Sequence, residues 1–321
     1  MSQLAEPIGE AWMTGNDSLF ANGPYAGRKL GEAWPEMPVE WGGTSVGSGG
    51  VFPILTKFIF AEEKLSIQVH PDDEYAAKHE VGTGGVGKTE MWYALCARPG
   101  AEVLAGLKPD VTRGKFEQAI ADGTAEDCLE HVALSEGEAI FIPARTAHTI
   151  GAGLALCEIQ QNSDLTYRVF DYNRRDALGR ARELHIDKAL AVMRFGEQTC
   201  GKLQPLHLER AGAKEDFFVA CRYFATDRWA FERPIVRATS PERFELLIVL
   251  RGVGQIAWGS NKADYAAAQV WLLPAALGTY RLDPASYTSL LRTYVPGESM
   301  DFGAYFAERG VRKQDWARLI R

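Results

Sequence analysis

From Val51 onwards the chain runs in short apolar or alternating stretches: FPILTKFIF, LSIQVH, EMWYALC, AEVLAGL, EAIFIP, ALCEIQQ and TYRVFDY, separated by turn residues. Such runs, rich in β-branched and aromatic side chains, predict strands. Two stretches break the pattern. Across 111–134, Phe116, Ala119, Ile120, Leu129 and Val132 fall at spacings that predict two short helices joined around Gly123, and across 185–195, Ile186, Leu190 and Met193 share one helical face. Strands then resume in FFVACRYF, FELLIVL, GQIAW, QVWLL and TYRL. The polar stretch 196–205, with Gly196, Gly201 and Pro205, is the expected boundary. The pattern therefore predicts a mainly β protein of two domains, 1–195 and 196–321, each a β-barrel or jelly roll, with a small helical insertion at about 111–134. The first fifty residues, rich in Gly, Pro and Trp, show no sustained helical period and are expected to wrap the first domain.

At 321 residues and 46% hydrophobic content the chain can bury a sizeable core. Its formal net charge of −7 is not gathered into a tail, which argues against general affinity for nucleic acid or acidic membranes and means that an anionic ligand needs a locally basic pocket. The five cysteines form no CxxC pair and are expected as reduced thiols. No apolar run approaches the ~18 residues of a membrane span, and MSQLAEPIGEAW lacks a basic start followed by an apolar core, so a cytoplasmic protein is expected.

GTGGVGKT fits the phosphate-loop pattern at Gly82, Gly87, Lys88 and Thr89. A phosphate loop needs a buried strand before it and a helix after it, so that backbone N–H groups at the helix start hold the phosphates. Here the charged, helix-like PDDEYAAKHEV precedes it and the strand-like EMWYALC follows. Neither flank fits, and no nucleotide is expected.

The neighbours of this loop carry more chemistry. In an extended LSIQVH, Ser66, Gln68 and His70 point one way and Ile67 and Val69 the other. Lys88 and Glu90 are likewise two apart. Further on, Gly137, Pro143 and His148 in EGEAIFIPARTAHTIGAG resemble the second half of the cupin metal motif, with Gln68 and His70 standing where its first histidine pair does and Glu90 later. Two imidazoles, one carboxylate and one amide oxygen suit zinc with an exchangeable position, a Lewis acid able to polarise a carbonyl. His79, His131, His185 and His207, each alone, are expected to be ordinary surface or hydrogen-bonded histidines.

Taken together, IGEAW, NGPYAGRKL, LSIQVHPDDEYA, GKTEMWY, IPARTAHTIGAG and EIQQNSDLTYRVFDYNR resemble the type I phosphomannose isomerases in their short bacterial form, from Gly9 to about Arg174. FELLIVLRGVGQIAW and QVWLLPA are similar, more weakly, to the family's second barrel. In one departure, the family's WGG segment normally precedes its first GE-x-W, whereas here WGG stands at 41–43. The resemblance implies two cupin-like barrels and a zinc enzyme interconverting mannose 6-phosphate and fructose 6-phosphate. It places the zinc ligands on Gln68, His70, Glu90 and His148, and polar active-site residues on Ser66, Lys88, Glu158, Asp164 and Arg168. Because 269–278 holds no histidine, one Zn2+ per chain is expected.

Such an isomerisation moves a proton between C2 and C1 through a cis-enediolate, which needs a base and an electrophile. Zinc is expected as the electrophile, Lys88 or Glu158 as the base with Asp164 a weaker candidate, and Arg168 as the phosphate clamp helped by Ser66 and Lys88. Arg145 is a further possible cation. Another ketol-isomerase or epimerase, acting on a phosphorylated or free sugar, or a non-catalytic sugar-binding cupin, would use the same metal set.

Overall fold

The computed structural model describes residues 8–47, 50–175, 178–196, 200–298 and 300–321. The chain folds into two compact units. The first joins the chain up to Trp12 to Leu55–Leu203, and the second joins Met13–Ile54 to Gln204–Arg321. The segment expected to wrap the first domain thus belongs largely with the second. Aromatic packing holds it there: the Trp34 ring lies 4.8 Å from Phe52 and 5.6 Å from Phe244, edge-on to both. Gly43, at a φ of 80°, passes so close to Glu242 that a Cβ would sit 2.4 Å from its carbonyl carbon, which explains a glycine in the WGG stretch.

The first unit contains strands β1 (Glu10–Trp12), β2 (Ile54–Ala61), β3 (Ile67–Val69), β4 (Glu90–Ala97), β5 (Glu102–Leu107), β6 (Leu129–Ala133), β7 (Ala139–Ile142), β8 (His148–Ile150), β9 (Leu154–Gln161), β10 (Tyr167–Phe170) and β11 (Gly201–Lys202). They form two antiparallel sheets, ordered β1-β2-β9-β4-β7-β11 and β10-β3-β8-β5-β6. Ile59, Trp92, Val103, Ile140, Ile142, Ile150 and Leu156 join in one core drawn from both sheets. The second sheet is buried on its other face too, where Ile67, Val69, Leu104 and Val169 pack with Phe116 of the helix Arg113–Asp122 and Leu190 of the helix Ile186–Val192. This double burial positions the chemistry. Ile67 and Val69 turn to the helices, so Gln68 between them turns inward, where it is the register partner of His148.

The same double burial corrects one expectation. The helix Arg113–Asp122 starts on Thr112, whose side chain accepts from the Lys115 N–H, and ends at Gly123, but no second helix spans 124–134. After a single 3-10 turn, Leu129–Ala133 is strand β6, paired to β5. Leu129 and Val132, three apart, would share a face of a helix, yet here Leu129 joins the helix-facing cluster and Val132 packs against the inter-sheet core. On a sheet buried on both sides, that spacing puts apolar residues on opposite faces.

The second unit repeats the plan with β12 (Leu206–Arg210), β13 (Ala213–Ala220), β14 (Ala225–Phe231), β15 (Ile235–Ala238), β16 (Glu245–Arg251), β17 (Val253–Trp258), β18 (Asn261–Ala266), β19 (Val270–Leu273), β20 (Thr279–Pro284) and β21 (Thr288–Tyr294). Its sheets are ordered β12-β13-β14-β21-β16-β19 and β15-β20-β17-β18. Register relates the two units. Trp92 on β4 pairs with Glu158 on β9, and Leu247 on β16 pairs with Arg292 on β21, so Glu245 occupies the place of Glu90 and Arg292 that of Glu158. Arg292 donates to Asp227 at 2.9 Å and to Glu245 at 3.1 Å, while Tyr280 donates to Glu245 at 2.9 Å. No helix among the described residues is long and apolar enough to cross a membrane.

Glu80, at the C-cap of the helix Asp73–His79, ties that helix to β10 and to the helix Ile186–Val192 by accepting from Tyr167 and Lys188, each at 2.7 Å. The Lys188 and Tyr167 hydrogen bonds hold its carboxyl below the ordinary value of 4.5. A carboxyl depressed by folding stabilises fully above its unfolded pKa and loses that contribution as pH falls through the folded one. Unfolding free energy should therefore decline below about pH 4.5, and urea titrations between pH 3 and 6 should find a shallower decline in Glu80→Gln.

Candidate metal centre

At one end of the inter-sheet core, three segments bring four polar side chains into an apolar interior. Gln68 comes from β3, His70 from the residue after it, Glu90 from the first position of β4, and His148 from the first position of β8. Glu90 and His148 are entirely buried and His70 is 1% exposed. One ligating atom each of His70, Glu90 and His148 lies within 4.8 Å of the others. The sequence placed the four ligand candidates together, and the fold brings them together.

Their orientation follows from the backbone. His70 donates its Nδ1 proton to the Leu165 carbonyl at 2.7 Å, and His148 donates its own to the Thr146 carbonyl at 2.8 Å. Both imidazoles therefore carry a lone pair on Nε2, and both Nε2 atoms face Glu90, at 3.7 Å and 3.3 Å. Burial, with the positive charge of Lys88 behind it, keeps His70 well below its ordinary pKa and brings His148 to about 3, so both stay neutral. Burial pushes Glu90 up to about 7 against the pull of Lys88. Glu90 Oε1 is buried without a hydrogen-bond partner. The Gln68 amide donates to His148 Nε2 at 3.3 Å, and a half-turn of that amide presents its oxygen at the same point. Two neutral imidazoles, an orphaned carboxylate oxygen and an amide fit a divalent cation of zinc type.

Lys88 is 3% exposed; its ammonium donates to Glu90 Oε2 and to His70 Nε2, the latter at 3.1 Å. Burial alone would lower its pKa, but Glu158 and Glu90 outweigh burial and raise it. Glu158, on β9, accepts from Trp92 at 2.9 Å through Oε2. Its Oε1 has no hydrogen-bond partner and lies 3.8 Å from Lys88 and 3.7 Å from Lys57. Burial pushes Glu158 up, but the two ammonium groups bring it below the ordinary carboxylate range. Lys57 was missed in the sequence, although a lysine inside FPILTKFIF, on the same strand face as Ile59 and Ala61 of the core, was a usable signal.

A second group forms around Arg168. Its Nε donates to Ser66 Oγ at 3.2 Å and its Nη1 to the Glu183 carbonyl at 3.1 Å. Burial, then Arg182, lower its pKa; Asp171 opposes them. Asp171 is gripped by Arg182, at 2.8 Å and 2.5 Å, and by Arg174. Three guanidiniums against one carboxylate leave a local positive excess. Sequence reasoning missed Arg174 and Arg182 because their partner, Asp171, lies on the same irregular return of the chain. Asp164 is exposed in the loop between β9 and β10, where its charge adds to those that raise Lys88. Arg145 is engaged elsewhere, donating to Val192 at 2.7 Å and to Asp72 at 3.4 Å. The GTGGVGKT loop lies between the helix Asp73–His79 and strand β4, the reverse of strand–turn–helix order.

Comparison with known proteins places this geometry. Residues 2–94 match the model of the phosphomannose isomerase type I catalytic domain. A mannose-6-phosphate isomerase of Streptococcus mutans is 33% identical over 284 residues, covering 87% of this chain and 86% of its own. A mannose-6-phosphate isomerase of Bacillus subtilis is 33% identical over 287 residues, covering 87% of each chain. The crystal structure of a Bacillus subtilis mannose 6-phosphate isomerase superposes with a TM-score of 0.81 at 31% identity, covering 89% of both chains. With sequence and fold in agreement, the chain belongs to the type I phosphomannose isomerases.

Proposed function

We propose that this isomerase is zinc-dependent and interconverts mannose 6-phosphate and fructose 6-phosphate by proton transfer between C1 and C2 through a cis-enediolate. One observation carries the metal assignment: two histidine lone pairs and an unpartnered carboxylate oxygen converge in a buried pocket of the core. In this proposal Gln68, His70, Glu90 and His148 hold the ion. When bound, zinc supplies Lewis-acid stabilisation of negative charge developing on oxygen.

The chain's own residues supply the rest. Of the base candidates, Glu158 is in its proton-accepting form, because Lys57 and Lys88 keep it ionised, whereas Lys88 itself is held protonated. Glu158 Oε1, which makes no hydrogen bond, is thus the proposed proton acceptor. Lys88 then serves as a donor and fixed positive charge beside it. Trp92 fixes the Glu158 carboxylate through Oε2 and leaves Oε1 to react. The positive cluster of Arg168, Arg174 and Arg182 suits a phosphate carrying nearly two negative charges, with Arg168 and Ser66 as its direct ligands.

Protein purified without chelator should contain about one zinc per chain, and His148→Ala should lose the metal together with at least about a hundredfold in kcat. Zinc must displace the proton that burial places on Glu90, so affinity should fall as pH drops through about 7, with proton release measurable by calorimetry in two buffers. An unchanged His148→Ala enzyme excludes the metal assignment. Glu158→Gln should keep its zinc and lose about 10²- to 10⁴-fold in kcat. Arg168→Ala should keep its zinc and raise KM for mannose 6-phosphate about 10- to 100-fold, and loss of zinc there would make it a structural residue instead.

A further inference from the structure

The end of the glycine-rich loop is fastened by a group of side chains to which the reaction itself assigns nothing. Gln161, 6% exposed at the end of β9, accepts the Thr89 N–H on Oε1 at 2.8 Å. Through Nε2 it donates to Asp73 Oδ1 at 2.9 Å, and that same oxygen accepts the Gly87 N–H at 2.9 Å. The Gln161 N–H in turn donates to the Thr89 carbonyl at 3.1 Å. Thr89 also accepts the Ala144 N–H through Oγ1 at 3.2 Å, and the Lys88 N–H donates to the Pro71 carbonyl at 3.0 Å.

These bonds join four separate stretches of chain. Pro71 and Asp73 follow His70, Thr89 stands between Lys88 and Glu90, Ala144 belongs to the turn leading to His148, and Gln161 is three residues beyond Glu158. The fit is tight: a Cβ on Gly87 would lie 2.6 Å from the Asp73 nitrogen, so the loop end must be glycine to reach the clamp. The other half of the loop differs, since Val81 is 75% exposed and Val86 43% exposed. GTGGVGKT is therefore open at its glycine-rich start and locked at Lys88.

We infer that Gln161 is a positioning residue for the isomerase reaction, holding Lys88 and Glu90 in register with His70 and Glu158 through Thr89 and Asp73. The inference rests on the assignment of Lys88, Glu90 and Glu158 to the reacting site. The four anchored stretches approach from different strands, and misplacement of a reacting group by an ångström is enough to cost up to about a hundredfold in rate. The cationic group of Arg168, Arg174 and Arg182, proposed to hold the substrate phosphate, is not part of the clamp, so substrate binding is expected not to depend on it.

The test measures kcat, KM and bound metal in Gln161→Ala, Gln161→Glu, Asp73→Ala and the Gln161→Ala/Asp73→Ala double variant. Gln161→Ala is expected to keep its metal, lose about tenfold or more in kcat and hold KM for mannose 6-phosphate within about twofold. Gln161→Glu, which keeps the acceptor for Thr89 but sets a carboxylate against Asp73, is expected to show the same split and carries the test if the alanine variant does not accumulate. The double variant should fall no more than about twofold below the more damaged single one, because both act through one clamp. Unchanged kcat in both Gln161 variants, loss of metal along with activity, or additive losses in the double variant would overturn the inference. A wrong metal assignment gives a different signature, a fully active His148→Ala enzyme.

Discussion

One carboxylate, that of Glu90, sets the terms for the first unit. It is wholly excluded from water, and an ionised carboxylate in such a place costs several kcal/mol unless positive charge comes to it. The strand that carries it is central in its sheet, so the group cannot turn outward to solvent. Lys88, two residues before the strand, meets one oxygen beside the His70 lone pair, and the other oxygen is left facing the lone pair of His148. The remaining arrangement follows: the apolar core lowers the histidines, Lys88 is held charged, and Glu158 shares that ammonium with Lys57.

Keeping those groups aimed requires backbone that does not relax. Arg145 has a φ of 73°, a left-handed conformation costing a non-glycine residue roughly 1–2 kcal/mol. It is retained because the turn is held from several sides. Its N–H donates to the His70 carbonyl at 2.7 Å, its side chain to Val192, and its carbonyl accepts from Arg194 at 3.1 Å. The strained turn thus grips the residue that carries one imidazole and leads, three residues on, to the strand that carries the other.

Much of this was legible in the sequence because it is written in local spacing. The alternation of LSIQVH put Gln68 and His70 on one face, and the G-x5-P-x4-H spacing put His148 at the end of a turn. What was not legible depends on which surfaces a strand meets. Leu129 and Val132 suggested a helix face because sequence does not tell whether a sheet is covered on one side or two. Lys57 passed unnoticed inside an apolar run, and only the partner strand β9 supplies the carboxylate that explains it. Gln161 acts through residues distant along the chain, a relation no periodicity encodes. The 13–54 segment has too little regular structure for its pattern to say which core its aromatic rings enter.

The register match between the units has a thermodynamic meaning. Where the first unit presents Glu90 to a histidine pair, the second presents Glu245 to the guanidinium of Arg292, tethered to the neighbouring strand. A cation taken from solution adds stability by mass action, in proportion to the logarithm of its concentration over its dissociation constant. A cation that is part of the chain adds the same amount at every concentration. On the proposed metal assignment, the two halves of this protein couple differently to their surroundings: one would respond to the supply of free metal, and the other carries its counter-ion as part of its own sequence.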